Sequence, residues 1–428
     1  MTIIKKAFRA DTLFFKDGQA HIERDALVLI DEHAKITALG AYAETLRKQS
    51  AEQQAQIALV LKHFPNKLLA PGFIDCHVHY PQLDVIGSPA EGLLPWLENY
   101  TFPHEARFHD IEYAGQVANF FFDELARNGV TTAMTFSTSH KASVDAAFTE
   151  AERRGLRFIT GKCLMDRHCP DGVKDSTEQS LIETEALINT WHDKENTRLG
   201  YAITPRFAPG CSDAQMHGAA EIAKRYRSTW IQSHVAENDD EIAWAKALYP
   251  KARSYLNVYA DFGLMRERAI YAHCIHLDEA DRQLLVDTQT AAAVCPSSNL
   301  FLGSGAFDFS KAGKTQHLFG LASDVGGGTS FSPFKTMLAA YYIAQQKHYT
   351  IKPSALWHSH TAGAAQALGL EAYVGNICEG LEADLILLDP QSSPLLTRRT
   401  QTANSIEELL FAMIVLGDDR VIASHLLH

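Results

Sequence analysis

Residues Pro71-Gly72-Phe73-Ile74-Asp75-Cys76-His77-Val78-His79 carry an apolar run straight into a His-x-His pair. A run of this kind reads as a buried strand. Side chains alternate along a strand, so His77 and His79 share a face one residue apart. Two imidazoles so placed form a metal chelate, but a working centre also needs further donors and a group that moves protons. His234 closes the run Trp230-Ile231-Gln232-Ser233-His234, His273 closes Ala269-Ile270-Tyr271-Ala272-His273, and Asp324 closes Leu318 to Asp324. Together these are donors for a borderline metal such as zinc, and iron suits the same set. Glu237 lies three residues beyond His234, near enough to lean over the same site without ligating. Asp324 is placed to take a proton from a water whose pKa falls to about 7 on zinc, and Glu237 to relay protons to a substrate. Each residue also has an ordinary explanation. A histidine can be a satisfied core residue, Glu237 a carboxylate favoured at a helix N-terminus, and Asp324 a turn residue before Gly326-Gly327-Gly328.

The elements that must position these residues are legible as a series. Strand-length apolar runs begin at Phe73-Ile74 and recur at Thr131–Phe136, Leu156–Thr160, Leu199–Thr204, Trp230–His234, Ala269–His273, Ala291–Cys295 and Leu318–Asp324. Segments such as Asp239–Leu248 and Asp278–Asp287 carry apolar residues at helical spacing between them, with Asp278 as an N-cap. Strands alternating with helices in this way predict a (β/α)8 TIM-like barrel, whose active site lies at the C-terminal ends of the strands. The candidate donors stand at those ends. Both chain termini read differently, as short β-like runs punctuated by turn residues, with a helix or loop at Gln49–Gln56. They predict a small β-sandwich domain built from 1–68 and 375–428, flanking a barrel over 69–374.

Composition narrows the classes of function. The chain has 428 residues, is 46% hydrophobic and 21% charged, and carries a formal net charge of -12. That acidity argues against a nucleic-acid or anionic-membrane partner. Neither a signal peptide nor an apolar run of roughly 20 residues is visible, so a cytoplasmic protein is expected. The seven cysteines form no Cys-x-x-Cys pair and read as reduced, mostly core residues.

At this level the chain resembles the amidohydrolase superfamily. The resemblance rests on the segment from Pro71 to His79, on Ser233-His234, Ala272-His273 and Ser323-Asp324, and on Gly380-x-x-Ala383-Asp384-Leu385. Further motifs resemble its guanine deaminase branch: Tyr80-Pro81-Gln82, Leu94-Pro95-Trp96-Leu97, Tyr100-Thr101-Phe102-Pro103, Gly161 to Asp166, Ile203-Thr204-Pro205-Arg206-Phe207 and Cys295 to Leu300. The resemblance implies one zinc per chain, surrounded by His77, His79, His234, His273 and Asp324. It also implies purine contacts from Gln82, Arg206 and Phe207, and a homodimer. Physically, a planar purine with polar edges needs an aromatic face, from Phe207 or Trp96, and side chains that read donors and acceptors. Two departures stand out. Ser323 occupies a position where threonine is usual, and the superfamily's C-terminal hairpin is missing, which leaves the last strand of the small sheet in doubt.

The reading is therefore hydrolytic deamination of guanine to xanthine and ammonia, with Asp324 as base and Glu237 as proton relay and substrate contact. An alternative is deamination of another purine or a pterin, such as 8-oxoguanine. A two-metal hydrolase would place a bridging lysine near the end of strand four, where this chain has Thr204-Pro205-Arg206, while Lys162 follows strand three. An inactive scaffold would have forfeited donors. The cytidine-deaminase type needs His-x-Glu together with Pro-Cys-x-x-Cys, and no Pro-Cys-x-x-Cys occurs.

Overall fold

A computed structural model describes residues 3–194 and 198–426. Met1, Thr2, Leu427 and His428, which belong to the two terminal β-like stretches, lie outside the described residues. The chain opens with β1 (Ile4–Lys16), β2 (Gln19–Asp31), β3 (Ile36–Ala41) and β4 (Leu61–Pro71). The expected short runs are thus two 13-residue strands, β1 and β2, whose pairing absorbs two register shifts. The polar segment before β4 is a helix, Ala51–Val60, started by a capping box at Ser50 and Gln53.

The middle of the chain then delivers β5 (Phe73–His79), β6 (Val130–Phe136), β7 (Arg157–Gly161), the two-residue β8 (Cys163–Leu164), β9 (Leu199–Pro205), β10 (Trp230–Val235), β11 (Ala269–His273), β12 (Ala291–Val294) and β13 (Phe319–Leu321). Eight of these form one path in the order β13-β12-β11-β10-β9-β7-β6-β5, with β8 paired to β9 alone. Every pairing along it is parallel. Each predicted barrel strand is present, with helices between them that include Asp239–Leu248 and Glu279–Thr288. Asp278 caps the second in a reciprocal box with Asp281.

The ring closes through backbone bonds just past β13. The Asp324 N–H donates to the His77 carbonyl at 2.9 Å, and the His79 N–H to that of Val325 at 2.8 Å. Inside, Ile74, Met134, Ile159, Ala202, Ile270 and Ala293 pack in one buried cluster, one residue from each of six strands. That is the interdigitated interior of a filled barrel.

The last elements, β14 (Leu385–Leu388) and β15 (Ile422–Leu426), return to the first four strands. They complete a separate six-stranded sheet in the order β15-β14-β4-β1-β2-β3. The final strand, in doubt from sequence, pairs antiparallel with β14. Gly375–Ile377, at the start of the C-terminal β-like stretch, forms no strand. Asn376 there instead accepts from the Phe15 N–H and donates to the Phe15 carbonyl.

Buried charge ties the two sheets together. Glu382 Oε2 accepts from Arg157 Nη2 at 2.8 Å and from Arg198 Nη1 at 2.6 Å, while Arg198 Nη2 reaches Asp384 at 3.0 Å. Removing one member of a buried set leaves the others charged in a poor solvent, at a cost of about 3–5 kcal/mol. Glu382→Ala is therefore expected to lower the free energy of urea unfolding by about 3–5 kcal/mol, seen as a lower midpoint. A midpoint within error of the parent would show that the network holds nothing.

Candidate active site

The predicted donors meet. His79 Nε2 stands 3.1 Å from His77 Nε2 and 3.2 Å from His234 Nε2. Asp324 Oδ1 lies 3.1 Å from His77 Nε2 and 3.4 Å from His79 Nε2. His273 occupies the edge of the set, its Nε2 3.9 Å from Asp324 Oδ2 and 3.2 Å from Glu237 Oε2. Cys295, quoted from sequence only as part of a motif, brings its thiol into the same group. Burial pushes that thiol's pKa well up, and the thiol donates to the Ala293 carbonyl at 3.5 Å.

Local backbone features aim these side chains. The pairing of β5 with β6 shifts register between Asp75 and Val78, and a bulge re-aims the residues beyond it. Cys76 therefore packs in the barrel interior while His77, the next residue, faces the same mouth as His79. Ala236, His273 and Asp324 adopt positive φ, at 50°, 73° and 50°. Non-glycine residues held there cost of order 1–3 kcal/mol each and cluster where function over-determines them. Asp75, buried beneath the pair, accepts from the N–H groups of His77 at 3.2 Å and Ser323 at 3.0 Å. One carboxylate thereby joins the two segments that carry ligands.

The donor set suits a divalent metal on its own chemistry. His234 Nδ1 bonds the Arg206 carbonyl at 2.6 Å, and His273 Nδ1 bonds Asn299 Oδ1 at 2.9 Å. Both partners are acceptors, so each ring nitrogen there is the protonated one and each Nε2 presents a lone pair. His273 Nε2 is buried without a hydrogen-bond partner. Burial first, then the neighbouring imidazoles, drive His79 and His234 well below the ordinary histidine pKa. Neutral nitrogens facing one another at such distances repel unless a cation lies among them. Zinc–nitrogen bonds of about 2.0–2.1 Å in tetrahedral geometry set donors about 3.3 Å apart, close to the spacings found here.

Two carboxylates at the site are pushed apart in pKa. Burial and then Asp324 raise Glu237 to about 8. Burial acts to raise Asp324 too, but its hydrogen bond from His77 and the surrounding imidazoles overcome it and leave the group at about 2. A protonated and an ionised carboxyl side by side divide acid from base. Ser304 donates to Glu237 Oε1 at 3.1 Å, and the Glu237 N–H donates to Glu241 Oε2 at 3.2 Å.

The same pocket is lined by Gln82, Trp96, Arg206 and Phe207. Phe207 sits edge-on to Trp244, ring centres 5.7 Å apart. Trp96 packs with Val85, Leu93 and Leu302. Gln82 and Arg206 share a partner that sequence reasoning missed, Glu105. Asn299, Ser304, Glu241 and Asp75 were also missed as site residues. Asn299 and Asp75 lie inside quoted motifs, and Glu105 stands two residues past one, so proximity to a motif was the signal available.

Beyond Asp324, glycine is demanded by space. A Cβ on Gly328 would lie 1.7 Å from the Ser323 carbonyl oxygen, and one on Gly326 would lie 2.4 Å from that of Gln82. Gly328→Ala must move the segment that carries Asp324. We expect divalent-metal affinity to fall about 10–100-fold, the scale seen when ligand support is lost, in a competition titration against a chromophoric chelator. Parental affinity in that titration would refute the account.

The Amidohydrolase family model matches residues 68–423. The chain is 41% identical over 398 residues to the guanine deaminase of Escherichia coli (strain K12), covering 93% of this chain and 89% of that protein. A solved E. coli guanine deaminase superposes with a TM-score of 0.93 at 38% identity, over 99% of this chain and 98% of that one. A guanine deaminase from C. acetobutylicum with guanine bound in its active site superposes with a TM-score of 0.90 at 30% identity, over 98% of each chain.

Proposed function

The chain belongs to the amidohydrolase family, and from that premise we propose that it hydrolyses guanine to xanthine and ammonia. The observation that carries the reading is one pocket uniting the imidazole–carboxylate cluster with Gln82, Arg206 and Phe207. Relatives with this activity span nearly the whole chain, and one of them holds guanine.

One zinc per chain is the reading for the metal, held by His77, His79, His234 and Asp324 with His273 beside them. When bound, such an ion supplies Lewis acidity and a water acidified to about pKa 7. The protein's own groups do the rest. Gln82 and Arg206 read the polar edge of the base, and Phe207 and Trp96 flank its plane. Asp324, kept ionised, accepts the proton of the water that attacks C2. Glu237, kept protonated by burial, gives a proton to the ring nitrogen beside C2. Asp324 passes the water's proton on to the amino group, which leaves as ammonia while the C2 hydroxyl returns its proton to Glu237 and the carbonyl forms. Water and guanine thus account for every atom of xanthine and ammonia.

The wider reading treats 1–68 with 375–428 as one domain and 69–374 as the other, supported by which strands share a sheet. It also takes the protein to be a cytoplasmic homodimer, for which the family resemblance is the support. Among the described residues no helix is long and apolar enough to cross a membrane.

Glu237→Gln tests the proton relay. Removal of a general acid–base group costs about 10²–10⁴-fold in rate, so kcat for guanine should drop by that factor while metal content stays at the parental value. Parental turnover would remove Glu237 from the chemistry. Separately, dialysis against a chelator should abolish turnover, and zinc should restore it at about one equivalent. A requirement for two equivalents would replace the single-metal reading.

A further inference from the structure

Glu105 lies behind the pocket wall, 1% exposed, and it is not among the residues that line the cavity. Its Oε2 accepts from Arg206 Nη1 at 2.5 Å. Its Oε1 accepts from both Arg206 Nη2 and Gln82 Nε2, each at 3.0 Å. One carboxylate therefore holds both side chains that face the polar edge of a bound base. Gln82 is fixed at its other end too, since its Oε1 accepts from the Gly326 N–H at 3.3 Å. These two partners settle the amide orientation: Nε2 must be the donor toward Glu105 and Oε1 the acceptor from Gly326. The Arg206 guanidinium lies over the Phe102 ring, 5.1 Å from its centre.

The arrangement also sets the charge that a ligand meets. Arg206 is 3% exposed, and an unpaired guanidinium so deep would attract any anion that fits. With Glu105 in fork-to-fork contact, that wall of the pocket is close to neutral. Guanine is neutral near neutral pH, whereas xanthine is a more acidic purine dione that ionises as the solution turns alkaline. A neutralised wall favours the first and gives the second's anion no extra hold.

We propose that Glu105 is a positioning and specificity residue, which orients Arg206 and Gln82 for a neutral base and cancels the charge that would otherwise retain the anionic product. The inference rests on the proposed guanine activity. It differs from a simple packing role in what it predicts for two ligands of unlike charge. Disorder in the pocket would weaken both together. Loss of Glu105's charge must shift one relative to the other.

The experiment compares the parent with Glu105→Gln and Glu105→Asp at mildly alkaline pH. It measures KM and kcat for guanine, the competitive inhibition constant of xanthine, and xanthine binding directly by calorimetry. For Glu105→Gln, which keeps the shape and loses the charge, the ratio of the xanthine constant to the guanine KM should fall about tenfold or more. For Glu105→Asp, which keeps the charge and loses reach, the ratio should stay parental while KM rises about fivefold or more and kcat holds within about threefold. An unchanged ratio in the glutamine variant overturns the inference. Should that variant fail to fold, the aspartate variant decides alone, and a shifted ratio or a parental KM overturns it. If the parent protein does not turn over guanine at all, it is the functional reading that fails, and the calorimetric shift for xanthine still reports on Glu105.

Discussion

The site depends on how the barrel closes. β13 is only three residues long, and its end is joined to β5 by a pair of backbone hydrogen bonds, Asp324 N–H to His77 and His79 N–H to Val325. These bonds lie at the residues that carry the donor atoms, so ring closure and ligand assembly are one event. Asp75 strengthens the joint from below by accepting N–H groups from both sides. The left-handed backbone at Asp324 and the glycines after it fit the same demand, because a Cβ at Gly328 would collide with the Ser323 carbonyl. A parallel barrel is stiff to local distortion, since its interior packs at crystal-like density. Donors mounted on its closing seam keep their spacing with little freedom to lose when a metal arrives.

Buried charge is handled by pairing rather than avoided. At the base of the barrel, Arg157 and Arg198 meet Glu382 and Asp384. At the pocket wall, Arg206 meets Glu105. Burial acts to lower the Arg206 pKa, yet Glu105 more than offsets it, and the pKa is raised above the ordinary arginine value. At the catalytic end the pairing is incomplete. Glu237 has a serine hydroxyl, the edge of an imidazole and the charge of Asp324 for neighbours, and no lysine or arginine among the described residues forms an ion pair with it. Burial there raises the pKa of Glu237 to about 8, a value suited to the proton-donor role proposed for it.

How much of this was legible in the chain depends on the range of the interaction. The eight strands were readable because each is a mostly apolar run of strand length, and burial on both faces leaves little polar alternation to confuse it. The donors were readable because TIM-barrel chemistry sits at strand C-termini, so His234, His273 and Asp324 announced themselves by position. Gly375–Ile377 misled for a local reason: its apolar and turn residues resemble a strand, while Asn376 spends its amide on the Phe15 backbone. The last strand, Ile422–Leu426, was obscured because an edge strand with Ser424 and His425 lacks a clean pattern. Its pairing comes from β14.

By itself, then, the sequence determined the order of elements and which imidazoles and carboxylates would gather at the strand ends, since each is written in residue type and short-range spacing. The tertiary structure alone decided the second ring of contacts. Glu105 reaches Arg206 across 101 positions and Ser304 reaches Glu237 across 67, and no periodicity connects such pairs. Which side chain orients which, and where a charge is cancelled or left bare, depends on distances of a few ångströms between separate strands and loops. Those distances exist only once the barrel has closed.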